Sequence, residues 1–329
     1  MSHTLSLREL ALKKIHHAHG RFTNPFSKVR HGNPARMLLW KLFSKNHFRQ
    51  YYHQERVIPV SVDWDSVKRN EGLSVTFLKH ATLLVKDEGK YILIDPVFFK
   101  FSWFVKDFSP LAFSLGEMPR PDHVLITHGH YDHLDRASLV TISVDTNIIT
   151  PLGYKRLLNA IGMKRMVQLD WFETFKKRNL TITLLPSNHW TMRNPIKGPN
   201  RSLWGSYLIR TSTGHTLFIA GDTAYFEGFK EMGKEFNIDL AIFNLGAYEP
   251  RWFMASSHMN PAETVRAFRE LGARHLLVVH WGTFRLGDEP IHLPPIQIRR
   301  EMEKHGLLDR LVDLRHGQTL FYDQCSTLE

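Results

Sequence analysis

The sequence predicts an α/β fold of the layered α+β type, in which stacked sheets are flanked by helices. Short apolar and β-branched runs bounded by turn residues recur from Ser74 onwards, as strands do. Helical patterns separate only the later runs, so an antiparallel start gives way to alternating strands and helices. With 329 residues and 43% hydrophobic content, the chain is long enough to bury a substantial core.

The first 70 residues differ in composition from the rest of the chain. They mix basic, aromatic and histidine residues with the turn sequences TNPF and GNPAR. Within them, the segment from Ala35 to Phe43, ARMLLWKLF, predicts a short amphipathic helix that packs either on the body or on a membrane. We therefore divide the chain into a basic N-terminal arm, residues 1–70, and a globular domain, residues 71–329.

Ten runs in the globular domain predict strands. In chain order they read SVTFLK, TLLVKD, YILID, HVLIT, NIIT, LTITLLP, LWGSYLIRTS, TLFIAGD, DLAIFNLG and HLLVVH. The intervals between the later runs predict helices at RASLVTI, GYKRLLNAIG, AYFEGFKEMGKEF and PAETVRAFRELG. The last of these begins with Asn260 as N-cap and Pro261 at the first helical position.

The net charge of +11 is concentrated in the arm. Residues 1–56 hold eleven Lys or Arg against two acids, a net charge of +9, so the remaining 273 residues carry only +2. A basic arm on a nearly neutral body indicates a local electrostatic anchor for a membrane surface, and we expect no nucleic-acid partner.

The compartment follows from cysteine use and hydropathy. The single cysteine, Cys325, excludes an internal disulfide, and the N-terminus carries charges where a signal peptide needs an apolar stretch. No apolar run approaches the roughly 20 residues of a membrane-spanning helix. We predict a cytoplasmic protein and leave open a peripheral association with the cytoplasmic face of the membrane.

The stretch ITHGHYDHLD, residues 126–135, has the composition of a metal site. It places three histidines and two aspartates in ten positions, directly after a predicted buried strand. Imidazole nitrogen and carboxylate oxygen are both ligands that zinc accepts. By chance, the pattern HxHxDH would occur in only about 0.4% of chains of this composition. The pattern therefore indicates a metal site but does not identify a substrate.

Further ligands are expected downstream, because one loop cannot complete two coordination shells. His189 follows TITLLPSN, Asp222 follows TLFIAG, and His280 follows HLLVV. Each is an ionisable residue placed just after an apolar run, and this common position predicts that they meet at one edge of the sheets.

The spacing of HGHYDH, His189, GDT and His280 resembles the metal motifs of the metallo-β-lactamase superfamily, from about Ser74 to Gly317. The resemblance implies an αββα sandwich with two zinc ions per chain at one edge. One zinc would be held by His128, His130 and His189, and the other by Asp132, His133 and His280. Asp222 would bridge both ions.

Five strings resemble one family within that superfamily, the N-acyl-phosphatidylethanolamine-hydrolysing phospholipases D. They are LWGSY, GDTAYF, GAYEPRWFM, SHMNPAE and HWGTF, with RFTNPF matching in the arm. The resemblance implies a phosphodiesterase in which a metal-bridging hydroxide attacks phosphorus. N-acyl-phosphatidylethanolamine, or a related glycerophospholipid, would yield phosphatidic acid and the N-acylethanolamine or other head-group alcohol.

Asp132 and His258 are the expected catalytic residues. His258 matches the family's active-site histidine that binds no metal, and an imidazole there can pass a proton to the leaving alkoxide; the alternative is a histidine that bonds backbone near Asn260. Asp95 is expected to orient a ligand histidine rather than bind metal. His80 is expected to have a structural place beside the site.

Two segments are candidates for substrate contact. Tyr248, Glu249 and Arg251 are expected to line the mouth of the site, unless Glu249 and Arg251 form an ion pair that fixes the loop. Residues 97–120 lack the family's usual basic segment and instead carry many aromatic residues, among them Trp103 and Phe104. These rings either fill the core or form an apolar wall for acyl chains or a bilayer.

Three other functions remain open at this stage. A lactonase, or another small-molecule hydrolase of the same fold, would use the same metals on a carbonyl carbon. An RNA-processing nuclease would use the basic arm, although the neutral body counts against it. A non-enzymatic binding module is disfavoured by seven intact ligand positions. The sequence also leaves open a homodimer.

Overall fold

The computed structural model describes residues 5–27 and 45–322, in which two seven-stranded sheets pack face to face with helices on both outer sides. This order of helix, sheet, sheet and helix confirms the predicted layered α/β class. The predicted helix over residues 35–43 lies outside the described residues. The boundary between arm and domain at residue 70 stays a prediction.

The first sheet has the strand order β16-β3-β4-β5-β6-β7-β8. Its strands are β3 (Ser74–Lys79), β4 (Thr82–Asp87), β5 (Lys90–Ile94), β6 (His123–Leu125), β7 (Asn147–Pro151), β8 (Met166–Leu169) and β16 (Thr319–Phe321). Strands β3, β4 and β5 pair antiparallel, and β5 to β8 pair parallel. The predicted change from hairpins to strand and helix alternation therefore occurs within one sheet.

The second sheet repeats this plan, with the order β15-β14-β13-β12-β11-β10-β9. Its strands are β9 (Thr174–Lys177), β10 (Leu180–Leu185), β11 (Ser206–Arg210), β12 (Thr216–Ile219), β13 (Leu240–Asn244), β14 (His275–Val279) and β15 (Leu311–Val312). Strands β9 to β12 pair antiparallel, and β12 to β15 pair parallel.

The remaining elements are helices and a short hairpin. The helices are α1 (Leu7–Leu12), α2 (Trp64–Arg69), α3 (Arg136–Val140), α4 (Lys155–Asn159), α5 (Gly228–Glu235), α6 (Arg251–Met254), α7 (Pro261–Leu271) and α8 (Leu293–Lys304). Short 3-10 turns span Arg49–Gln54 and Leu308–Arg310, and β1 (His17–Ala18) pairs with β2 (Arg21–Phe22). Asn260 caps α7 and Pro261 is its first residue, as the sequence predicts.

The main core lies between the sheets and continues under the helices of the second sheet. Alternate residues of β3, such as Val75 and Phe77, are buried in it with Ile182 of β10 and Leu217 of β12. The opposite face of the first sheet packs in a second cluster with α2, α3 and α4. Strands buried on both faces explain why their sequences are continuously apolar.

The described part of the arm packs on the body. Leu7, Leu10 and Ala11 of α1 are buried in the main core, and the backbone N–H of Leu7 donates to the Glu231 carboxylate on α5. Sequence periodicity did not predict α1, α2, α8 or the strands β8, β9, β15 and β16. These strands are short, and β9, with the sequence TFKK, is largely exposed. Two to four residues carry too little pattern to distinguish a strand from a loop.

The strand directions bring the predicted site residues to one edge. Strands β3, β5 and β6 of the first sheet end there, as do β10, β12 and β14 of the second. His80, Asp95 and His280 each follow directly after one of these strands. No helix of the described residues is long and apolar enough to cross a bilayer.

Candidate metal centre

The HGHYDH segment forms a tight loop between β6 and α3. The backbone N–H groups of His133 and Leu134 both donate to the carbonyl of His130, and Asp135 caps α3. Gly129 is required by close approach, since a Cβ there would lie 2.8 Å from Thr191 Oγ1 and 2.9 Å from the Tyr154 ring. The loop thus presents its ligand-type side chains within one turn of chain.

The first donor group consists of His128, His130, His189 and Asp222. One ligand atom from each lies within 4.8 Å of all the others. His130 Nδ1 is 2.9 Å from His128 Nε2 and 3.3 Å from His189 Nε2, and Asp222 Oδ2 is 3.7 Å from His128 Nε2.

The second donor group consists of His80, Asp132, His133 and His280, which meet the same 4.8 Å limit. The Nε2 atoms of His133 and His280 lie 3.1 Å apart, and His80 Nε2 lies 3.1 Å from Asp132 Oδ2. The sequence predicted His80 to lie beside the site with a structural role. Its ring nitrogen lies beside Asp132 and within reach of the donor atoms, and its supporting role stays a prediction.

Asp222 lies between the two groups. Its Oδ2 is 3.4 Å from His133 Nε2, and its Oδ1 is 3.4 Å from His280 Nε2, while Oδ2 also faces the first group. Asn244 donates its amide to Oδ1 at 2.7 Å. The carboxylate is therefore placed where a bridging ligand would be.

The donor atoms fit a pair of metal ions. Ligands bound tetrahedrally to zinc at about 2.1 Å lie roughly 3.4 Å apart, and the ring nitrogens and carboxylate oxygens face each other at 2.9–3.8 Å. Several buried imidazole nitrogens point at one another, an arrangement that a shared cation stabilises better than hydrogen bonds do. Both groups combine imidazole and carboxylate, which zinc accepts.

Hydrogen bonds from the far side hold the ligand rings. His133 Nδ1 lies 2.8 Å from the Asp95 carboxylate, which also accepts from the backbone N–H and hydroxyl of Thr127. His189 Nδ1 lies 3.0 Å from the carbonyl of Ser257. When Nδ1 donates in this way, Nε2 is left free to bind metal.

Three residues at this edge have left-handed backbone. His80, Asp95 and His280 have φ values of 50°, 42° and 71°, each at the first position after a strand. A residue other than glycine costs roughly 1–3 kcal/mol in this conformation, and the surrounding fold must supply that energy. Strained backbone thus occurs at three strand ends beside the donor groups.

Burial and mutual charge set the protonation of the donor groups. Burial lowers the pKa of the His128 and His189 rings well below the usual value and that of His130 to about 4. Burial alone would raise the pKa of Asp222, but the neighbouring His280 and His133 hold it well below its usual range. Neutral imidazoles and ionised carboxylates are the forms that bind metal. His133 differs: burial lowers the pKa of its ring, but Asp222 and Asp132 outweigh burial and raise that pKa well above the usual value, so metal binding there would displace a proton.

His258 stands outside both donor groups but beside them. Its Nδ1 is 4.0 Å from Asp222 Oδ2, and its side chain is 15% exposed. Burial lowers the pKa of its ring to about 4. Its backbone N–H donates to the Met254 carbonyl and its own carbonyl accepts from Arg251, so the backbone is held by the loop and the ring is left to face the site.

The GAYEPRWFM loop is fixed from inside. Tyr248 is 2% exposed, and its hydroxyl donates to Gln297. Its side chain therefore lies in the interior, whereas the sequence analysis predicted a position at the mouth of the site. The Arg251 guanidinium donates to two carbonyls and pairs with Glu263 at 2.8 Å, instead of with the Glu249 carboxylate, which accepts the Arg251 backbone N–H. Arg251 therefore organises the loop.

The aromatic segment of residues 97–120 divides into a packed part and an exposed part. The Phe101 ring packs edge-on against Phe284, which contacts the His80 ring at 5.0 Å. Trp103 and Phe104 are 88% and 74% exposed. Some rings of this segment therefore pack in the interior and others face solvent, while the apolar wall for acyl chains or a bilayer stays a prediction.

Two residues that support the site escaped sequence reasoning. Arg193 donates to the carbonyls of Gly129 and Leu134 and stacks on the Tyr131 ring, so it closes the HGHYDH loop from outside. Thr283 accepts from the backbone N–H of His80 and bonds Ser109 in the aromatic segment. Arg193 follows His189 by four positions, and Thr283 belongs to HWGTF, but neither position reveals these contacts.

Comparison with known proteins locates these features within a family. The β-lactamase superfamily domain matches residues 90–281, a range that contains all seven predicted ligands and leaves His80 and the arm outside. N-acyl-phosphatidylethanolamine-hydrolyzing phospholipase D 1 of Caenorhabditis elegans is 32% identical over 281 residues, 79% of this chain and 77% of that protein. The mitochondrial enzyme of the same name in Saccharomyces cerevisiae is 30% identical, with 92% of this chain and 76% of that protein covered.

Solved structures share the fold. The isothiocyanate hydrolase from Delia radicum gut bacteria superposes with a TM-score of 0.63 at 20% identity, covering 76% of this chain and 98% of that one. Igni18, a metallo hydrolase from Ignicoccus hospitalis, gives 0.59 at 19% identity, with 75% and 97% covered. At these identities the two structures establish the architecture alone.

Proposed function

This metal-dependent hydrolase belongs to the β-lactamase superfamily and, within it, to the family of the N-acyl-phosphatidylethanolamine-hydrolysing phospholipases D, and we propose that it is a zinc-dependent phosphodiesterase of that type. Its substrate is N-acyl-phosphatidylethanolamine or a related glycerophospholipid. The products are phosphatidic acid and the head-group alcohol. One observation carries the proposal: two donor groups joined by Asp222 adjoin the aromatic segment, in which Phe101 packs on Phe284 beside the His80 ring. Trp103 and Phe104 of the same segment are exposed.

The donor groups would hold two zinc ions per chain, one with His128, His130 and His189, the other with Asp132, His133 and His280, and with Asp222 shared. Such ions supply an acidified water as nucleophile and positive charge against the phosphate. His80 adds a nitrogen near Asp132 and holds that carboxylate in place.

Hydrolysis of the diester breaks the P–O bond to the head-group alcohol, and the departing alkoxide needs a proton. His258 is the proposed proton carrier, because its ring lies next to Asp222 and outside both donor groups. With a pKa of about 4 the ring is neutral near pH 7, so it would take the proton from the attacking water and pass it to the departing alkoxide. The adjacent backbone bonds hold it in position without using the ring. Such a group typically contributes about 10²–10⁴-fold to the rate.

Trp103 and Phe104 are proposed to dock the protein on the bilayer that contains its substrate. Lys100 and Lys106 flank them; Lys100 donates to the Trp103 carbonyl and Lys106 lies over the Phe108 ring. Buried aromatic rings contribute ~1.5–3 kcal/mol each, and a basic residue near an anionic leaflet about 1 kcal/mol. Together with the basic arm, this suffices for reversible binding.

The decisive experiment compares two substrates on the zinc-loaded protein. We expect N-acyl-phosphatidylethanolamine in mixed micelles to yield phosphatidic acid and N-acylethanolamine, measured by mass spectrometry, with little hydrolysis of long-chain acyl lactones. Efficient lactone opening without phosphodiester cleavage would instead identify a lactonase that uses the same donor groups.

Membrane docking has a separate test. The protein should sediment with anionic liposomes, less so as salt rises, and the double variant Trp103→Ala/Phe104→Ala should sediment several-fold less. The pair Ile58→Ala/Ile296→Ala, also exposed and apolar but outside the aromatic segment, is the matched control. Sedimentation that does not depend on the aromatic pair would refute its role while leaving the hydrolase intact.

A further inference from the structure

The N-terminal arm reaches the back of the first donor group through Asn24. The Asn24 side-chain amide donates to the Asn188 Oδ1 at 2.8 Å and to the backbone carbonyl of His189 at 2.9 Å. Its own Oδ1 accepts the backbone N–H of Phe26 at 3.0 Å. All three contacts require the same orientation of the Asn24 amide, so both of its N–H donors bond the segment that carries His189.

Asn188 connects this contact to the segment after β12, which carries Asp222. Its backbone N–H donates to Thr223 Oγ1 at 3.0 Å, and its carbonyl accepts from Ala224 at 2.9 Å. Its side-chain amide donates to the carbonyl of Tyr225. Asn24 therefore braces a junction between the segments that present His189 and Asp222.

Asp170 of the body holds the part of the arm that precedes Asn24. Its carboxylate accepts from Lys14, from His16 at 2.6 Å and from His17 at 2.9 Å, and His16 is buried and stacked on Trp171 at 4.2 Å. These contacts form a clasp of one acid and three basic side chains. They involve no residue of either donor group.

Aromatic and backbone contacts fasten the arm on the other side of Asn24. Phe26 packs against Trp171 and Phe226, with ring centroids 5.7 and 4.6 Å apart. Before Asn24, on the side of Asp170, the backbone N–H of Phe22 also donates to the carbonyl of Asn200 in the loop after His189. The Asn24 amide is thus held from both directions and cannot follow His189 if that residue shifts.

We propose that Asn24 is a positioning residue for His189, so that the basic arm completes the first metal site instead of serving only as an anchor. The Nδ1 atom of His189, on the side away from the donor group, bonds the Ser257 carbonyl, and the backbone carbonyl of His189 accepts from Asn24. Without the Asn24 side-chain amide, the backbone carbonyl of His189 loses this donor, and the position of the His189 ring is less restricted. The inference rests on metal binding at the first donor group and not on the lipid substrate.

The test is a metal titration of the full chain carrying Asn24→Ala or Asn24→Asp. The matched control is Asn159→Ala, at an exposed position of α4. Zn²⁺ affinity is measured by chelator competition, and site occupancy by the absorption spectrum after Co²⁺ loading. Partners that support a ligand typically contribute 10–100-fold to metal affinity. We expect one of the two ions to bind about 10–100-fold more weakly, with loss of one Co²⁺ signature and the other unchanged.

A second variant separates positioning from general loss of stability. Asp170→Asn loosens the clasp without touching Asn24, and should weaken the same single ion by a smaller factor. Equal weakening of both ions, together with a lower unfolding temperature of the metal-free protein, would overturn the proposal, as would unchanged affinity in Asn24→Ala. Lipid turnover is not needed, so failure here is distinct from failure of the proposed phosphodiesterase.

Discussion

The two donor groups share Asp222 and one sheet edge, yet they are supported differently. The second group is enclosed by the body: all four residues are buried, Asp95 holds His133, and Thr283 holds the backbone of His80. The first group is partly open at His130 and is supported by Thr127 at His128, by the Ser257 carbonyl and by the arm through Asn24. The second group is therefore supported by the body alone, whereas the first also contacts the arm.

Removing the shared carboxylate should have the largest effect, because it belongs to both sites. We expect Asp222→Ala to lower the affinity for both ions by at least about 100-fold, beyond the effect typical of an outer hydrogen-bond partner, and to abolish hydrolysis. The metal content of each variant is measured by inductively coupled plasma mass spectrometry. Asp145→Ala, an exposed acid paired with Arg165, should change nothing. Retention of either ion would show that the groups are independent.

The histidine beside both groups should separate catalysis from binding. His258→Ala is expected to lower kcat by about 10²–10⁴-fold while both ions stay bound, because the ring lies outside the donor sets. Metal content and turnover measured on the same sample test this. If zinc disappears along with activity, His258 has a structural role at the site.

Changing the support of the second group alone should distinguish the two sites. Asp95→Asn puts an N–H₂ group where the carboxylate accepts from His133 and Thr127, so the second ion should bind about 10–100-fold more weakly. The first ion should be affected less, only through Thr127, whose hydroxyl donates to Asp95 and lies 3.1 Å from His128 Nδ1. The order of the two effects should be the reverse of that expected for Asn24→Ala. Co²⁺ spectra of the two variants measure this directly. Identical spectra would contradict the division into two differently supported sites.

The smallest effect on metal binding is expected at Thr283. Thr283→Val keeps the shape of the side chain but leaves the His80 backbone N–H without its acceptor, which costs about 1–3 kcal/mol of unfolding free energy. Metal affinity should fall only a few-fold, since His80 keeps its contact with Asp132. Urea unfolding gives the stability, with Thr174→Val in an exposed strand as the comparison. A change below about 0.5 kcal/mol would show that another group replaces the hydroxyl.

Much of the site could be predicted because its residues follow apolar runs. His189, Asp222 and His280 are recognisable as ionisable residues placed after buried strands, and parallel or alternate strands deliver such residues to one edge. The meeting of the predicted ligands at one edge follows from that rule, whereas their division into two groups was implied by the family resemblance. His80 satisfies the same rule after β3, but its motif indicated only a turn, and its nitrogen was assigned no ligand position.

The supporting contacts could not be predicted in this way. Asn24 and His189 lie 165 positions apart, and Thr283 and His80 lie 203 apart. An amide or hydroxyl is compatible with many surface and turn positions, so its type carries little information about its partner. The interior position of Tyr248 and the pairing of Arg251 with Glu263 likewise depend on how a loop closes over α7.

The sequence by itself determined the layered fold, the identity of the metal-binding residue types and the edge at which they gather, because hydrophobic periodicity and strand direction are local properties of the chain. Only the tertiary structure decided which groups hold those residues in place and which aromatic rings of the segment 97–120 reach solvent. Hydrogen bonds between distant segments and the burial of individual rings depend on the packing of whole layers, which no short stretch of sequence specifies.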